Sequence, residues 1–437
     1  MMYDRRYPLI TVMALFVPAL LSAQWLETTI PVINGPFALA YNTVENRIYC
    51  INAGGYIYPE STVTVIDGAT NSIVTTMVVG RDPWILLFNS ANNKVYCANF
   101  GSNDVMVIDC VTNTVVDTIA VGIGPWGLVQ NSTGSKVYCA NCWSHSISVI
   151  DATVDTVIAT VAVTGCQNMV YNPVNDKVYS TNAASNTVTV IDGAADTVIG
   201  IITLQNWPCG ILYNPTNNAI YCANEYSASV TVIDGEADTI IAAVPVGDGP
   251  YPMTYNPLNH KVYVGNQYSG SVTIIDCATN TAIGTITTGS GPFALRYNAI
   301  NNKVYCANRG GPGTPDSTVV VIDGASDAIV TIIGVGQAPR DLAWSPLQNR
   351  TYVANSDAAS VSVIRDSVVG VDEYRRSIVD FTGLITTIIR GPLQLPEGRR
   401  CKVYDITGRV VEPSKIKPGI YFIEINGVVT QKVVKVR

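Results

Sequence analysis

Apolar and polar positions alternate along most of this chain in short runs, and clusters of Gly, Pro, Asn, Asp and Ser separate the runs. A period of two marks strands that bury one face, whereas a helix would show a period near 3.6. Residues 291–335 contain one full unit. Positions 293–297 read as strand a, 298–302 as a turn, 303–307 as strand b, 317–322 as strand c, 323–326 as a second turn and 328–335 as strand d.

The unit repeats. Its tyrosines are Tyr49, Tyr96, Tyr138, Tyr179, Tyr221, Tyr263, Tyr305 and Tyr352, spaced by 47, 42, 41, 42, 42, 42 and 47 residues. An Ile-Asp pair keeps step at Asp67, Asp109, Asp151, Asp192, Asp234, Asp276 and Asp323, and the eighth unit has Ile364-Arg365 instead. A proline before strand a recurs at Pro36, Pro83, Pro125, Pro208, Pro250, Pro292 and Pro339; the fourth unit has Cys166 there. Four strands per unit of 40–45 residues is the period of a propeller blade. The pattern predicts an all-β chain folded as an eight-bladed β-propeller, with seven blades as the alternative. Residues 27–33 have the character of a d-strand with no unit of their own, and the eighth unit has no d-strand. A ring closed by its own N-terminal strand explains both, because closure hides the last sheet edge.

The Tyr-x-Ala-Asn and Val-Ile-Asp motifs, with Val-Gly closing most d-strands, resemble the YVTN family of β-propeller repeats over about residues 27–365. The Gly-His and Trp-Asp marks of WD repeats are missing. After Val369 the period stops, and 366–384 reads as a linker with charges at 372–376. The stretch from Val403 through Tyr404, Asp405, Gly408 and Arg409, then Pro418-Gly419-Ile420-Tyr421-Phe422, then Gln431-Lys432-Val433-Val434, resembles the C-terminal sorting domain of type IX secretion substrates. That resemblance covers residues 385–437 and implies a small β-sandwich, read by the type IX secretion machinery, that adds no catalytic residues. The alternative is a generic β-sandwich binding module.

Residues 1–23 read as a secretory signal peptide: Arg5 and Arg6, an apolar run from Leu9 to Leu21, and a small-residue cleavage site before Gln24. Thirteen apolar residues are too few for a membrane span, and no other stretch is long and apolar enough to form one. The expected location is outside the cell or on the surface of a Gram-negative-type bacterium, reached through the periplasm.

Charged residues make up only 14% of the chain and hydrophobic ones 48%, which excludes disorder. Residues 370–437 carry 12 basic and 7 acidic side chains, and residues 24–369 carry 12 basic and 25 acidic. So acidic a body argues against nucleic acid as a partner. Seven of its basic residues stand at the start of strand b: Arg47, Lys94, Lys136, Lys177, Lys261, Lys303 and Arg350. With the Ile-Asp acids they should form mixed rings on one face, paired weakly at the surface. Of eleven cysteines, Cys50, Cys97, Cys139, Cys222 and Cys306 share one slot and read as small buried thiols. Cys139, Cys142 and His145 give three zinc-type ligands where a structural site needs four, so no metal or cofactor is expected. The only histidines, His145 and His260, lie in different units, and no nucleophile–base spacing is present. The chain does not read as an enzyme.

The eight tyrosines read as packing between blades, since binding positions in a repeat protein vary from unit to unit. The slot that varies holds Phe37, Trp84, Trp126, Gln167, Cys209, Tyr251, Phe293 and Arg340, and Trp207 lies just before Cys209. It falls where the d–a loop enters the innermost strand. Phe37, Trp84, Trp126, Trp207, Tyr251, Phe293 and Arg340 are the candidate ligand-binding rim at one channel mouth; the alternative is a packing plug. Two b–c loops, after Asn52 and after Asn308, are five residues longer than that of unit two. The expected function is non-enzymatic binding of a glycan, peptide or protein ligand at the cell surface. A structural surface-layer or adhesion role is the alternative, and a channel-mouth hydrolase or lyase a third.

Overall fold

The computed structural model describes residues 22–33, 35–53, 61–311 and 313–368, and in the tail 385–389, 393, 401–405, 409–413, 416–417, 419–425 and 428–435. The expected signal peptide up to Leu21, the loop insertion Gly54-Gly55-Tyr56-Ile57-Tyr58 and the charges at 372–376 lie outside the described residues.

Between Gln24 and Asp366 the chain forms eight four-stranded sheets. Blade 1 consists of Pro36–Asn42, Arg47–Asn52, Thr62–Asp67 and Ile73–Val78 as strands a to d, and the next six blades repeat that order. Strand a of each blade touches strand a of the next, and the eighth touches the first, so the sheets close into a ring of eight, not seven. Blade 8 supplies Pro339–Ser345, Arg350–Asn355 and Ser360–Val368, and its fourth strand is Ser22–Pro31. The closing strand lies a few residues earlier than the expected 27–33. Gln24 bonds Asp366 at 2.7 Å, and the Val32 N–H donates to Ala359 at 3.0 Å. The last c-strand runs to Val368, three residues past the expected propeller boundary at 365.

Each gap between blades holds one apolar cluster. All eight repeat tyrosines are completely buried, one in each cluster. Tyr49 and Cys50 show the rule: Tyr49 packs towards blade 2, and Cys50 packs back towards blade 8. Neighbours on a strand point to opposite faces, so one blade fills two gaps with adjacent residues. The equivalent cysteines therefore sit in different gaps, and the ten cysteines of the propeller form no disulfide with one another.

Asp67 Oδ1 accepts the N–H groups of Ala69 and Thr70 at 2.9 and 2.8 Å, and the other Ile-Asp turns follow this Asx geometry. The lysines depart from the expected weak surface pairing. Lys94, Lys136, Lys177 and Lys261 cross to the next blade and pair with Asp155, Asp196, Asp238 and Asp327, the last residue of its c–d turn. These acids have φ of 53–57°, a left-handed conformation that Asp and Asn tolerate.

In the tail, strands Ile385–Ile389, Val428–Lys435, Gly419–Ile425 and Cys401–Asp405 lie side by side in that order. The first pair is parallel and the others antiparallel. Val403, Ile416 and Tyr421 form its small core. One sheet is described there; a second sheet of the expected sandwich is not among the described residues.

Candidate functional site

Two variable slots converge on one end of the channel. The first follows the d–a loop. The residue before each proline has positive φ, as at Gly124, Gly249 and Gly291, and proline then starts strand a. Directly after the proline the ladder skips: Pro83 faces Asn99 and Ile85 faces Ala98, which leaves Trp84 as the bulged residue. The same shift occurs at Trp126, Cys209, Phe293 and Arg340. A bulge turns its side chain out of the sheet, and here it turns each slot residue towards the axis. Blade 4 lacks the proline, and its strand a shortens to Met169–Asn172.

The second slot is the residue after the motif asparagine: Ala53, Phe100, Cys142, Ala183, Glu225, Gln267, Arg309 and Ser356. In seven blades its N–H donates to the carbonyl of the positive-φ residue of the same blade, as in Phe100 to Asp82 at 2.8 Å and Arg309 to Gly291 at 2.8 Å. The b–c and d–a loops are thus tied together on one face, as expected. The b–c loop of blade 7 extends strands Lys303–Gly311 and Thr314–Asp323 into a longer hairpin.

Phe37, Trp84, Trp126, Trp207, Tyr251, Phe293 and Arg340 all line one cavity of about 490 Å³, together with Gln167, Asn168, Glu225, Gln267 and Asp341. A second cavity of about 630 Å³ shares Phe37, Trp84 and Arg340 with it and adds Arg81, Asp82, Phe100, Trp143, Arg309 and Asp357. The rings form an arc. Phe37 lies 4.5 Å from Trp84 and Trp84 3.9 Å from Trp126; Tyr251 lies 5.6 Å from Phe293. Arg340 fills the break, its guanidinium 3.5 Å from the Phe37 ring centre and 5.1 Å from that of Phe293. Arg309 stacks on Phe293 at 4.9 Å. Burial first, and Arg309 second, lower Arg340 to about 9, so it keeps its charge at neutral pH. Burial raises Asp341, although its carboxylate accepts the Leu39 and Leu342 N–H groups at 2.8 Å each.

Trp207 is the outlier. It has φ 61° where other blades place Gly124, Gly249 and Gly291, and its ring packs on Tyr226 at 5.4 Å. A bulky residue there is strained.

Sequence reasoning missed Phe100, Trp143, Glu225, Gln267 and Arg309. For all but Trp143 the signal was present, because the position after the motif asparagine varies as freely as the first slot; Trp143 lies one residue further on. Cys139 is buried in an inter-blade gap while Cys142 lines a smaller cavity beside Trp126, so the Cys-x-x-Cys pair is split. Among the described residues no group of His, Cys, Asp and Glu side chains is placed to hold a metal ion, and no helix is long and apolar enough to cross a membrane.

No family model matches the chain, and no curated protein matches it. Solved structures do. Hydrazine synthase of Kuenenia stuttgartiensis is 19% identical with a TM-score of 0.54, over 69% of this chain and 98% of that one. Sqt1 of Saccharomyces cerevisiae is 10% identical with a TM-score of 0.67, over 79% and 99%. The C-terminal WD40 domain of Sif2 is 14% identical with a TM-score of 0.65, over 78% and 98%. At these identities the likeness shows the fold alone: this chain is an eight-bladed β-propeller.

Proposed function

We propose that the protein is a non-enzymatic binding scaffold whose channel-mouth cavity takes a glycan or peptide ligand outside the cell. One observation carries this: both variable slots of the repeat line two cavities that share Phe37, Trp84 and Arg340, while the tyrosine, cysteine and lysine positions are consumed between blades. A cavity of a few hundred Å³ with aromatic walls and a few polar groups is of the size and character of small-ligand sites. The test replaces Trp84 and Trp126 by Ala and screens glycans and peptides. Loss of binding with a near-native unfolding midpoint supports the site; loss of the fold makes these rings a packing plug.

Export belongs to the same reading. The leader would be removed after Ala23, which leaves Gln24 free to keep its bond to Asp366. The tail would address the protein to the type IX secretion machinery and from there to the surface. Removing residues 370–437 in a host with that machinery should abolish surface display; retained display sinks the idea.

A structural, self-associating role has its own observation. The outer strands expose apolar side chains: Ile199, Ile201, Ile241, Ile283 and Ile332 are each about half exposed or more. Exposed apolar edges pair readily with other edges. Ordered assembly at high concentration, seen by sedimentation and microscopy, would favour that role over a pocket.

A further inference from the structure

We infer that the mouth cavity recognises the carboxylate of a uronic-acid saccharide, with Arg340 as the group that holds it; this rests on the cavity being the binding site.

The first ground is the distribution of charge. The body has 12 basic against 25 acidic residues, and seven of the basic ones stand at strand b on the opposite face. Of the other five, Arg81, Arg309 and Arg340 line the two joined cavities. An acidic body has thus placed three of its five other basic residues at one mouth.

Arg340 itself is the second ground. It touches the Phe37, Phe293 and Trp84 rings at 3.5, 5.1 and 5.7 Å. Its guanidinium has no hydrogen bond or ion pair with any described residue, so its donors face the cavity. The carboxylate of Asp341 is occupied by two backbone N–H groups, and Glu225 accepts the hydroxyl of Tyr268 from the next blade. A planar fork with free donors, held flat on a ring, matches a carboxylate in two-point geometry. A cationic ligand is disfavoured, because Arg340 and Arg309 already cover the Phe37 and Phe293 rings and would repel it.

The remaining walls favour a sugar over an acidic peptide. The Gln167 and Gln267 side-chain amides have no partner among the described residues, and each offers both a donor and an acceptor, as hydroxyl groups require. Asp82, Glu225 and Asp357 also line the two cavities. They can accept hydrogen bonds from sugar hydroxyls, which glutamate side chains lack. The half-buried rings of Trp84, Trp126 and Tyr251 offer flat apolar surface to the C–H face of a pyranose.

The experiment titrates the whole protein with oligogalacturonate, its methyl ester, a neutral cello-oligosaccharide and a polyglutamate peptide, by calorimetry. Oligogalacturonate should bind, and the methyl ester should bind about 10- to 100-fold more weakly, as expected for loss of a charge-assisted pair. Arg340→Gln should lose a similar factor and Arg340→Lys less, with unfolding midpoints close to the parent. If Arg340→Gln fails to fold, the comparison of acid and ester on the parent protein decides. Equal binding of ester and acid overturns the inference and leaves the cavity as a site. Binding of polyglutamate alone replaces the sugar by a peptide. If oligogalacturonate does not bind, the inference is overturned; binding of the neutral cello-oligosaccharide alone would keep the cavity as a site without the carboxylate.

Discussion

The Tyr96 hydroxyl donates to Asp155 Oδ1 at 2.8 Å across the gap between blades 2 and 3, and Lys94 holds the other oxygen of the same carboxylate. The contact recurs at every interface. Tyr49 reaches Asn113, Tyr221 reaches Asn280, Tyr263 reaches Asp327, and Tyr352 closes the circle on Asn71. The acceptor is Asp wherever a lysine stands beside the tyrosine, at Asp155, Asp196, Asp238 and Asp327. It is Asn opposite Ala219, Arg47 and Arg350, and there the two arginines bond carbonyl groups of the next blade instead. Charge is therefore matched at seven of the eight gaps; between blades 7 and 8 Tyr305 donates to Asp366 while Lys303 pairs within its own blade.

Matching of this kind can be tested by its imbalance. Lys94 is 21% and Asp155 8% exposed, so removing one partner strands a charge that water reaches poorly. Lys94→Ala should destabilise the protein, and adding Asp155→Asn should recover most of the loss, since the pair would then copy Ala219 and Asn280. A coupling of about 1–2 kcal/mol is expected from urea unfolding of the four proteins. Strictly additive losses would mean that the charges do not see each other.

The sequence made the ring legible because each blade repeats its own strands, turns and core positions at one offset. It hid the partners of the lysines. Lys94 stands directly opposite Asp109 in the ladder, yet its ammonium group bonds Asp155 in the next repeat. Only at the seam does the in-blade pair form: the eighth blade has no c–d turn, and Lys303 bonds Asp323 of its own blade. The candidate site was half legible for a similar reason. Variation marked the slot after proline, whereas Phe100 and Arg309 follow an unvarying asparagine and were read as loop.

Closure should be the weak point of the ring. Arg350 grips Glu27 with two bonds of 2.6 Å and also reaches the Gly68 and Ala69 carbonyls of blade 1. Burial would raise Glu27, but Arg350 and Arg365 outweigh it and hold the carboxyl below its usual range. Deleting residues 24–34 removes this pair and opens the last c-strand, so aggregation or a large fall in melting temperature is expected. The milder Glu27→Gln should cost about 1–3 kcal/mol, because Arg350 is only 7% exposed. A monomeric deletion protein with unchanged melting would contradict the seam.

Acid should unfold the protein through its turns. Backbone N–H groups lower Asp109, Asp234 and Asp276, and at Asp323 the Lys303 and Ser326 contacts overcome burial to bring it to about 2. A carboxylate with a depressed folded value adds stability above its unfolded value near 3.9, and that stability is lost as pH falls through the folded value. Melting temperature should drop steeply from about pH 4 towards pH 2. Asp323→Asn should lower stability at pH 7 and flatten that drop. An Asp323→Asn protein with the parent's pH profile would rule the turn out as a contributor.

Trp207 separates strain from packing. Holding a non-glycine residue at φ 61° costs about 1–2 kcal/mol, and glycine there relieves it. Against that, glycine gains about 0.4–1 kcal/mol of freedom in the unfolded chain, and the lost contact with Tyr226 is worth about 0.5–1.5 kcal/mol. These terms nearly cancel, so Trp207→Gly should unfold within about 1 kcal/mol of the parent. A tryptophan that served as core would instead cost about 3–5 kcal/mol on removal. Since Trp207 lines the mouth cavity, the same variant should bind whatever ligand the cavity takes more weakly. Near-native stability with weakened binding would mean that the strained conformation is kept for the ligand; a loss of several kcal/mol would return Trp207 to the scaffold and remove it from the site.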